Sequence, residues 1–314
     1  SAQYSVQGQT FSASDDNDGL SPERALRTIN QAVTNATASA GDTIMLLAGT
    51  HTQTATQILS KAGLLLTGES SQYGGASYYG AGRQRYASTL SISGTADECL
   101  AITASNIEVA FLNLKGTNAY SIVSFPTTAA LDGIFIHDCY VDMTYQGAFS
   151  IDSLGIDFGA RQNASGRDRI GNLLTWATAY IERVYFETNG AVGAALHLAT
   201  VSAYVNNCRF HNNAGTWATA IQVATNCDNT LIQDCVFTTS GTLTLAVAGY
   251  QFGYAVDVTD GVEIVDCRVT RNLSTAATAF DGFGGNAANI AENYTMGGGT
   301  GGMDSGGILI KYIT

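Results

Sequence analysis

The chain has 314 residues, of which 13% are charged, and a net charge of −12 at pH 7. Such an acidic surface repels a phosphate backbone, no Lys/Arg cluster interrupts it, and no apolar run reaches the ~18 residues of a membrane span, so neither a nucleic-acid nor a membrane partner is expected. With 35 Gly, 2 Pro and abundant Thr, Ser, Ala and Asn, the composition fits many short strands and tight turns better than long helices.

The first feature along the chain is SDDNDG, residues 14–19. A calcium loop of the EF-hand kind wants oxygens at positions one, three and five, Gly at six and Glu at twelve. Ser14, Asp16, Asp18 and Gly19 meet the first part, but position twelve is Ala25 and no helix precedes the loop. No metal and no cofactor is expected. The following SPERALRTINQAV reads as a helix start, with Ser21 as cap and Pro22 in the first turn. Ala25, Leu26, Ile29, Ala32, Val33 and Ala36 share one face, which predicts a helix over 22–36. Such a helix covers an otherwise unpaired strand edge. Residues 1–42 are thus expected to form a turn and a capping helix, after which Gly41 and Asp42 lead into a strand at 43–48.

Beyond it a short pattern repeats: apolar, any, polar, often Cys, any, apolar. It appears as IHDCYV from Ile136, VNNCRF from Val205, IQDCVF from Ile232 and IVDCRV from Ile264, with weaker copies from Val109, Ile181 and Ile290. Successive starts lie 27, 45, 24, 27, 32 and 26 residues apart, so the 45 holds one repeat plus an insertion. The apolar first residue, the Cys and the last apolar residue cannot share one face of a flat strand, which predicts a corner near the Asp-Cys pair. A period near 25 is too short for helix pairs and lacks the Leu framework of leucine-rich repeats. It fits one turn of a parallel β-helix with about three short strands per coil. The expected fold is all-β: a single-stranded parallel β-helix over 43–296, of roughly eight to ten coils, with the short N-terminal helix as its cap. Cys139, Cys208, Cys235 and Cys267 would form one interior ladder of reduced thiols. Cys99 and Cys227 are expected buried off the ladder, and His51, His137, His197 and His211 read as turn or surface residues.

The order SDDNDGLSPERALRTINQAV…GDTIMLLAGTH, with GLLLTGES and ASNIEVAFLNLKG after it, resembles the start of right-handed parallel β-helix proteins of the pectin-lyase-like class. The resemblance implies fold more than function, because the class holds pectate lyases, polygalacturonases, phage tailspikes and non-enzymatic virion proteins. The polygalacturonase-like signatures (Asn-Thr-Asp, a coil-borne Asp-Asp pair, Gly-His-Gly, Arg-Ile-Lys) are missing from this sequence. A lyase-like site would need Arg or Lys over calcium, yet Lys occurs only at 61, 115 and 311. The best carboxylate candidates for catalysis are Asp257 and Asp260 in DVTDG, with Asp281, and turn capping explains them equally.

Two insertions interrupt the repeats. The first, 71–86, mixes Tyr73, Tyr78, Tyr79, Arg83, Arg85 and Tyr86 with Gly and Ser, the makeup of a contact surface for a partner or a glycan. The second, 144–178, holds Asp152, Asp157, Arg161, Arg167, Asp168, Arg169 and Trp176. The chain closes with a Gly-rich linker and an apolar strand pattern at 308–313 within a terminal unit of 297–314, a segment suited to docking. Missing catalytic signatures favour a non-enzymatic structural protein on the virion surface of a tailed phage, attached to capsid or tail proteins. By the same resemblance it is expected to self-associate, as a homotrimer, and to bind host surface polysaccharide. The alternatives are a tailspike depolymerase and a secreted bacterial carbohydrate-active lyase or hydrolase.

Overall fold

A computed structural model of the chain describes residues 3–6, 9–69, 86–93, 98–116, 121–125, 131–143, 154–157, 177–188, 194–198, 201–212, 216–223, 231–239, 242–251, 254–255, 268–270, 273–274, 280–281, 290–291 and 294–295. Three long sheets dominate it. Sheet 1 stacks Thr43–Leu46, Leu65–Gly68, Glu108–Ala110, Ile134–His137, Ala177–Glu182, Val201–Asn206, Leu231–Gln233, Arg268–Thr270 and Ile290–Ala291, all parallel. Sheet 2 stacks Gly49–Gln53, Ser88–Ile92, Asn113–Lys115, Tyr140–Met143, Tyr185–Thr188, Arg209–Asn212, Val236–Thr239, Leu273–Ser274 and Tyr294–Thr295. Sheet 3 runs Gln57–Leu59, Leu100–Ile102, Ser121–Ser124, Leu154–Asp157, Ala194–Leu198, Thr216–Val223, Thr242–Gln251 and Phe280–Asp281, with Tyr254–Ala255 antiparallel to Thr242–Gln251. The chain visits sheets 1, 2 and 3 in rotation, and each round stacks on the last. This all-β arrangement of parallel sheets is compatible with a parallel β-helix.

Stacking in register places equivalent residues in columns along the sheets. In sheet 1 the column Leu66, Val109, Ile136, Ile181, Val205 and Ile232 is wholly buried. In sheet 2 the column Leu90, Leu114, Val141, Phe186, Phe210 and Phe237 is likewise at 0% exposure. The rings of Phe186, Phe210 and Phe237 lie 4.7 and 4.8 Å apart and within 11° of parallel. That is the spacing of neighbouring strands, and being wider than a ring's thickness it implies the offset stacking that aromatic quadrupoles favour.

The expected corner is present. Phe111, Asp138, Arg183, Asn207 and Asp234 link sheets 1 and 2 with φ between 47° and 56°. A left-handed backbone at a non-glycine residue costs roughly 1–2 kcal/mol, least for Asn and Asp. It is held here by continuing ladder bonds: Phe111 N donates to Asp138 O at 2.9 Å, and Arg183 N to Asn206 O at 3.1 Å. The residue after each corner points inward, and Leu112, Cys139, Val184, Cys208 and Cys235 are all buried there. Cys139, Cys208 and Cys235 donate their thiols to carbonyls of the preceding round, at Val109, Ile181 and Val205. Burial pushes the Cys139 thiol up to about 12, and Cys99, also buried, up to about 12.

Three expectations need correction. The thiol ladder is broken, because Val184 stands between Cys139 and Cys208 in the stack. Cys267 lies outside the described residues, and its repeat is out of step: Val269, not Ile264, pairs with Ile232, and Leu273 pairs with Val236. Finally, the helix expected over 22–36 is split into a 3-10 turn, Pro22–Arg24, and a helix, Ile29–Asn35.

The acidic hexapeptide explains the split. Asp15 accepts from Arg27 N, Thr28 N and the Thr28 hydroxyl at 2.9–3.1 Å, and Thr28 in turn caps the helix through Gln31 N. Gly19 N and Asn17 Nδ2 bind the carbonyls of Arg24 and Ala25, so 14–19 folds back on 24–28 and holds it out of helix. A hairpin of Gln3–Val6 and Gln9–Ser12, absent from the sequence reading, precedes this knot.

Ile29 and Val33 bury the helix against the core. Asn30 meets the first strand of sheet 3, whose outer edge has no strand beyond it among the described residues: Ile58 N donates to Asn30 Oδ1 at 2.7 Å and Asn30 Nδ2 donates to Thr56 O at 3.2 Å. One carboxamide thus substitutes for a missing strand. Replacing Asn30 by Leu leaves both edge groups unpaired and is expected to cost about 1–3 kcal/mol. Urea denaturation should show that loss, with aggregates by light scattering; an unchanged midpoint would remove Asn30 from this role.

Candidate functional site

Two groups of side chains on the outer faces of sheets 1 and 2 carry chemistry. The first is built from the residue just ahead of each buried apolar residue in sheet 1. Glu108, Phe135, Tyr180, Tyr204 and Leu231 form this column in register. Two residues along, on the same face, Ala110, His137, Glu182, Asn206 and Gln233 form a second column.

Five aromatic rings and one imidazole connect these columns to the corner. Tyr86 packs on Phe111 at 6.1 Å, Phe111 on His137 at 5.7 Å and His137 on Phe135 at 4.2 Å. Phe135 continues to Tyr180 at 6.3 Å and Tyr180 to Tyr204 at 6.2 Å. Tyr180 is 48% exposed and Phe111 37%. The line is fixed by its backbone supports. Asn113 clamps the main chain of Tyr86 on both sides, accepting from its N–H at 2.9 Å and donating to its carbonyl at 2.6 Å. Phe111 lies over Gly68, where an added Cβ would come within 2.2 Å of the Phe111 carbonyl. Gln233 Nε2 donates to the Tyr204 hydroxyl at 2.7 Å.

Beside the rings runs a chain of charges across three consecutive strands. Glu108 Oε1 accepts from His137 Nε2 at 3.0 Å, and His137 Nδ1 donates to Asp138 at 2.8 Å. Arg183 grips Asp138 through Nε and Nη2 at 3.0 and 2.8 Å and binds Glu182 through Nη1 at 2.8 Å. Burial alone would lower the His137 pKa, but hydrogen bonds to Asp138 and Glu108 and their negative charges outweigh it and hold it above its ordinary value. Burial alone would raise Asp138, but His137 and Arg183 hold its carboxyl below the usual range. With both ring nitrogens bound to carboxylates, His137 has no site from which to move a substrate proton. The group fastens strands together; it is not a general base.

The second group lies on the outer face of sheet 2, where Lys115, Asp142, Glu187 and His211 are register neighbours on four consecutive strands. The Tyr140 hydroxyl donates to Glu187, and its ring stacks on Tyr185 at 5.5 Å. Neighbouring strands set these carboxylates ~4.8 Å apart by backbone, near the separation used by retaining glycosidases. Exposure decides against access: Glu187 is at 0%, Tyr140 at 2% and Asp142 at 6%. Among the described residues no three His, Cys, Asp or Glu side chains are grouped to hold a metal.

Of the expected binding residues, Tyr86 joins the aromatic line, while Tyr73, Tyr78, Tyr79, Arg83, Arg85 and Trp176 lie outside the described residues. Asp257 and Asp260 also lie outside them. Asp281 pairs with Ala248 in sheet 3, away from both groups. His137 and His197 are buried, at 8% and 4%, not surface residues as expected. Glu108, Phe111, Phe135, Tyr180 and Tyr204 escaped the sequence reading. Extending the repeat alignment one residue upstream of each apolar start would have displayed Glu, Phe, Tyr and Tyr in series. No family model, curated protein or solved structure matches the chain.

The contribution of His137 is full below its ordinary 6.5 and is lost as pH rises through its raised folded value; that of Asp138 is full above its ordinary 3.8 and is lost as pH falls through its lowered one. The stability gap between the native chain and His137→Gln should therefore be widest between pH 3.8 and 6.5 and narrow on both sides. Denaturant midpoints across pH measure it, and a gap independent of pH would contradict the charged state of His137.

Proposed function

We propose that this chain is a right-handed parallel β-helix of the pectin-lyase-like kind that binds an extended polysaccharide along the outer face of sheet 1 without cutting it. The aromatic line from Tyr86 to Tyr204 is the observation that carries the reading. Its rings follow the stacking direction of the strands, and Phe135, Tyr180 and Tyr204 lie 6.2–6.3 Å apart, the scale of successive units of an extended sugar chain. Aromatic side chains offer apolar surface at little entropic cost, and the Tyr hydroxyls add polar contacts to it. Rings fixed by a rigid sheet lose little further freedom on binding. The charge group beside them stiffens the sheet and leaves no proton shuttle for cleavage. Such a protein suits the surface of a tailed-phage virion, contacting the glycans of a host.

A hydrolytic reading, as a tailspike depolymerase or a secreted carbohydrate-active enzyme, is favoured by one feature, the neighbouring carboxylates Asp142 and Glu187. Their burial weighs against it. Tyr180→Ala is expected to weaken glycan binding about tenfold or more, as loss of one stacked ring costs ~1–3 kcal/mol in other aromatic platforms. Affinity electrophoresis in gels cast with candidate polysaccharides reads this. Retention unaffected by Tyr180→Ala would remove sheet 1 as the site, and release of oligosaccharides that stops in Asp142→Asn would install the enzyme instead.

Self-association is part of the proposal. The Gly-rich stretch before the apolar pattern at 308–313 supports a docking segment that joins copies into a trimer or holds the chain to capsid or tail proteins. Deleting 306–314 should leave the secondary structure intact by circular dichroism but lower the assembled mass by light scattering. An unchanged mass would make the segment an intramolecular closure.

A further inference from the structure

The charges beside the aromatic line bear on which glycan such a face would take, a point that rests on the polysaccharide-binding reading. The group holds three carboxylates, Glu108, Asp138 and Glu182, against two cations, His137 and Arg183. Asp138 is spent between His137 and Arg183, and Arg183 is spent between Asp138 and Glu182. Neither cation in the group is left to meet an anionic ligand. Glu108 is different. Its side chain is 44% exposed, Oε1 takes the hydrogen bond from His137, and among the described residues Oε2 has no partner. It stands one strand from Phe135 in the same column, at the end of the line where Phe111 and Phe135 flank His137. Glu182 likewise uses one oxygen on Arg183, and the Tyr180 hydroxyl makes no hydrogen bond among the described residues.

An acidic polymer of uronate, sialate or phosphate ester would meet net negative charge here, on a chain already at −12. An ammonium group would meet an accessible carboxylate and ring faces that attract cations. We infer that the ligand is a glycan bearing free amino groups, a polymer of unacetylated amino sugar, and that Glu108 is its specificity residue. The sugar rings lie on Phe135, Tyr180 and Tyr204, and an ammonium meets Glu108 Oε2. A basic peptide shares the charge but not the fit. The strands bearing the rings are paired on both edges, so a peptide cannot add to them as a strand, whereas successive sugar units can each meet one ring of a line whose members are turned 80° and 55° to one another.

Calorimetry with the full chain and four probes tests this: a glucosamine hexamer, its fully N-acetylated counterpart, oligogalacturonate and hexalysine. The glucosamine hexamer should bind at least about tenfold more tightly than the acetylated one, the difference one charge-assisted hydrogen bond makes. Glu108→Gln keeps the acceptor for His137 and so keeps the fold, which circular dichroism verifies. It should reduce the glucosamine hexamer to the level of the acetylated one, and oligogalacturonate should bind weakest. Equal binding of both hexamers by native chain and Glu108→Gln overturns the inference while leaving the polysaccharide reading in place. Tightest binding of oligogalacturonate overturns it too. Binding of hexalysine alone replaces glycan by peptide and removes both readings; binding of none of the probes overturns the inference, and the gels with candidate polysaccharides then decide the wider reading.

Discussion

Parallel pairing in register is the constraint on which everything else rests. Once a strand lies beside its counterpart from the previous round, each side chain stands over the equivalent one ~4.8 Å away. Whatever suits one interior position must then suit its neighbours. Inside, this produces the stacked rings of Phe186, Phe210 and Phe237 at strand spacing. A phenyl group buried in such a stack contributes roughly 1.5–3 kcal/mol through lost apolar surface, and each ring also supports the next. Outside, the same geometry turns single aromatic residues into a continuous line. The aromatic face is a consequence of the stacking and not an addition to it.

The corner between sheets 1 and 2 shows the cost of that geometry. Left-handed backbone is tolerable at Asn207 and Asp234, but Phe111 and Arg183 adopt it as well. Both side chains stand at the edge of the aromatic face: Phe111 as one of its rings, Arg183 as the clamp on Asp138. Strained residues that persist at a surface corner are held by what surrounds them, here the Gly68 contact and the ion-pair chain. A face supported in this way is organised before a ligand arrives, which is how a modest set of contacts yields useful affinity.

The fold was legible in the sequence because the interior column tolerates few residue types, so the repeat survives as a visible pattern. Its corner was legible for the same reason, since inward residues on both sides of Asp138 or Asn207 demand a bend. The Cys ladder misled because the position requires a small apolar side chain that can fill the corner, and Val184 and Leu112 do this as well as a thiol. The helix misled because its apolar spacing is genuine, while Asp15, twelve residues away, captures the amides of Arg27 and Thr28. Such a contact leaves no local mark. The aromatic face was hidden for a further reason. Outward positions vary freely from round to round, so Glu108, Phe135, Tyr180 and Tyr204 share no residue type and declare themselves only when the rounds are stacked.

Hydroxyl-radical footprinting with and without a saturating glycan reads the central claim at the side chains themselves. Tyr180 and Phe111 are the most exposed rings of the line and should react readily in the free protein. A bound polysaccharide should suppress oxidation of both, with Phe186, Phe210 and Phe237 unreactive throughout because they are buried. Protection that leaves Tyr180 and Phe111 unchanged and falls elsewhere on the chain would contradict the account.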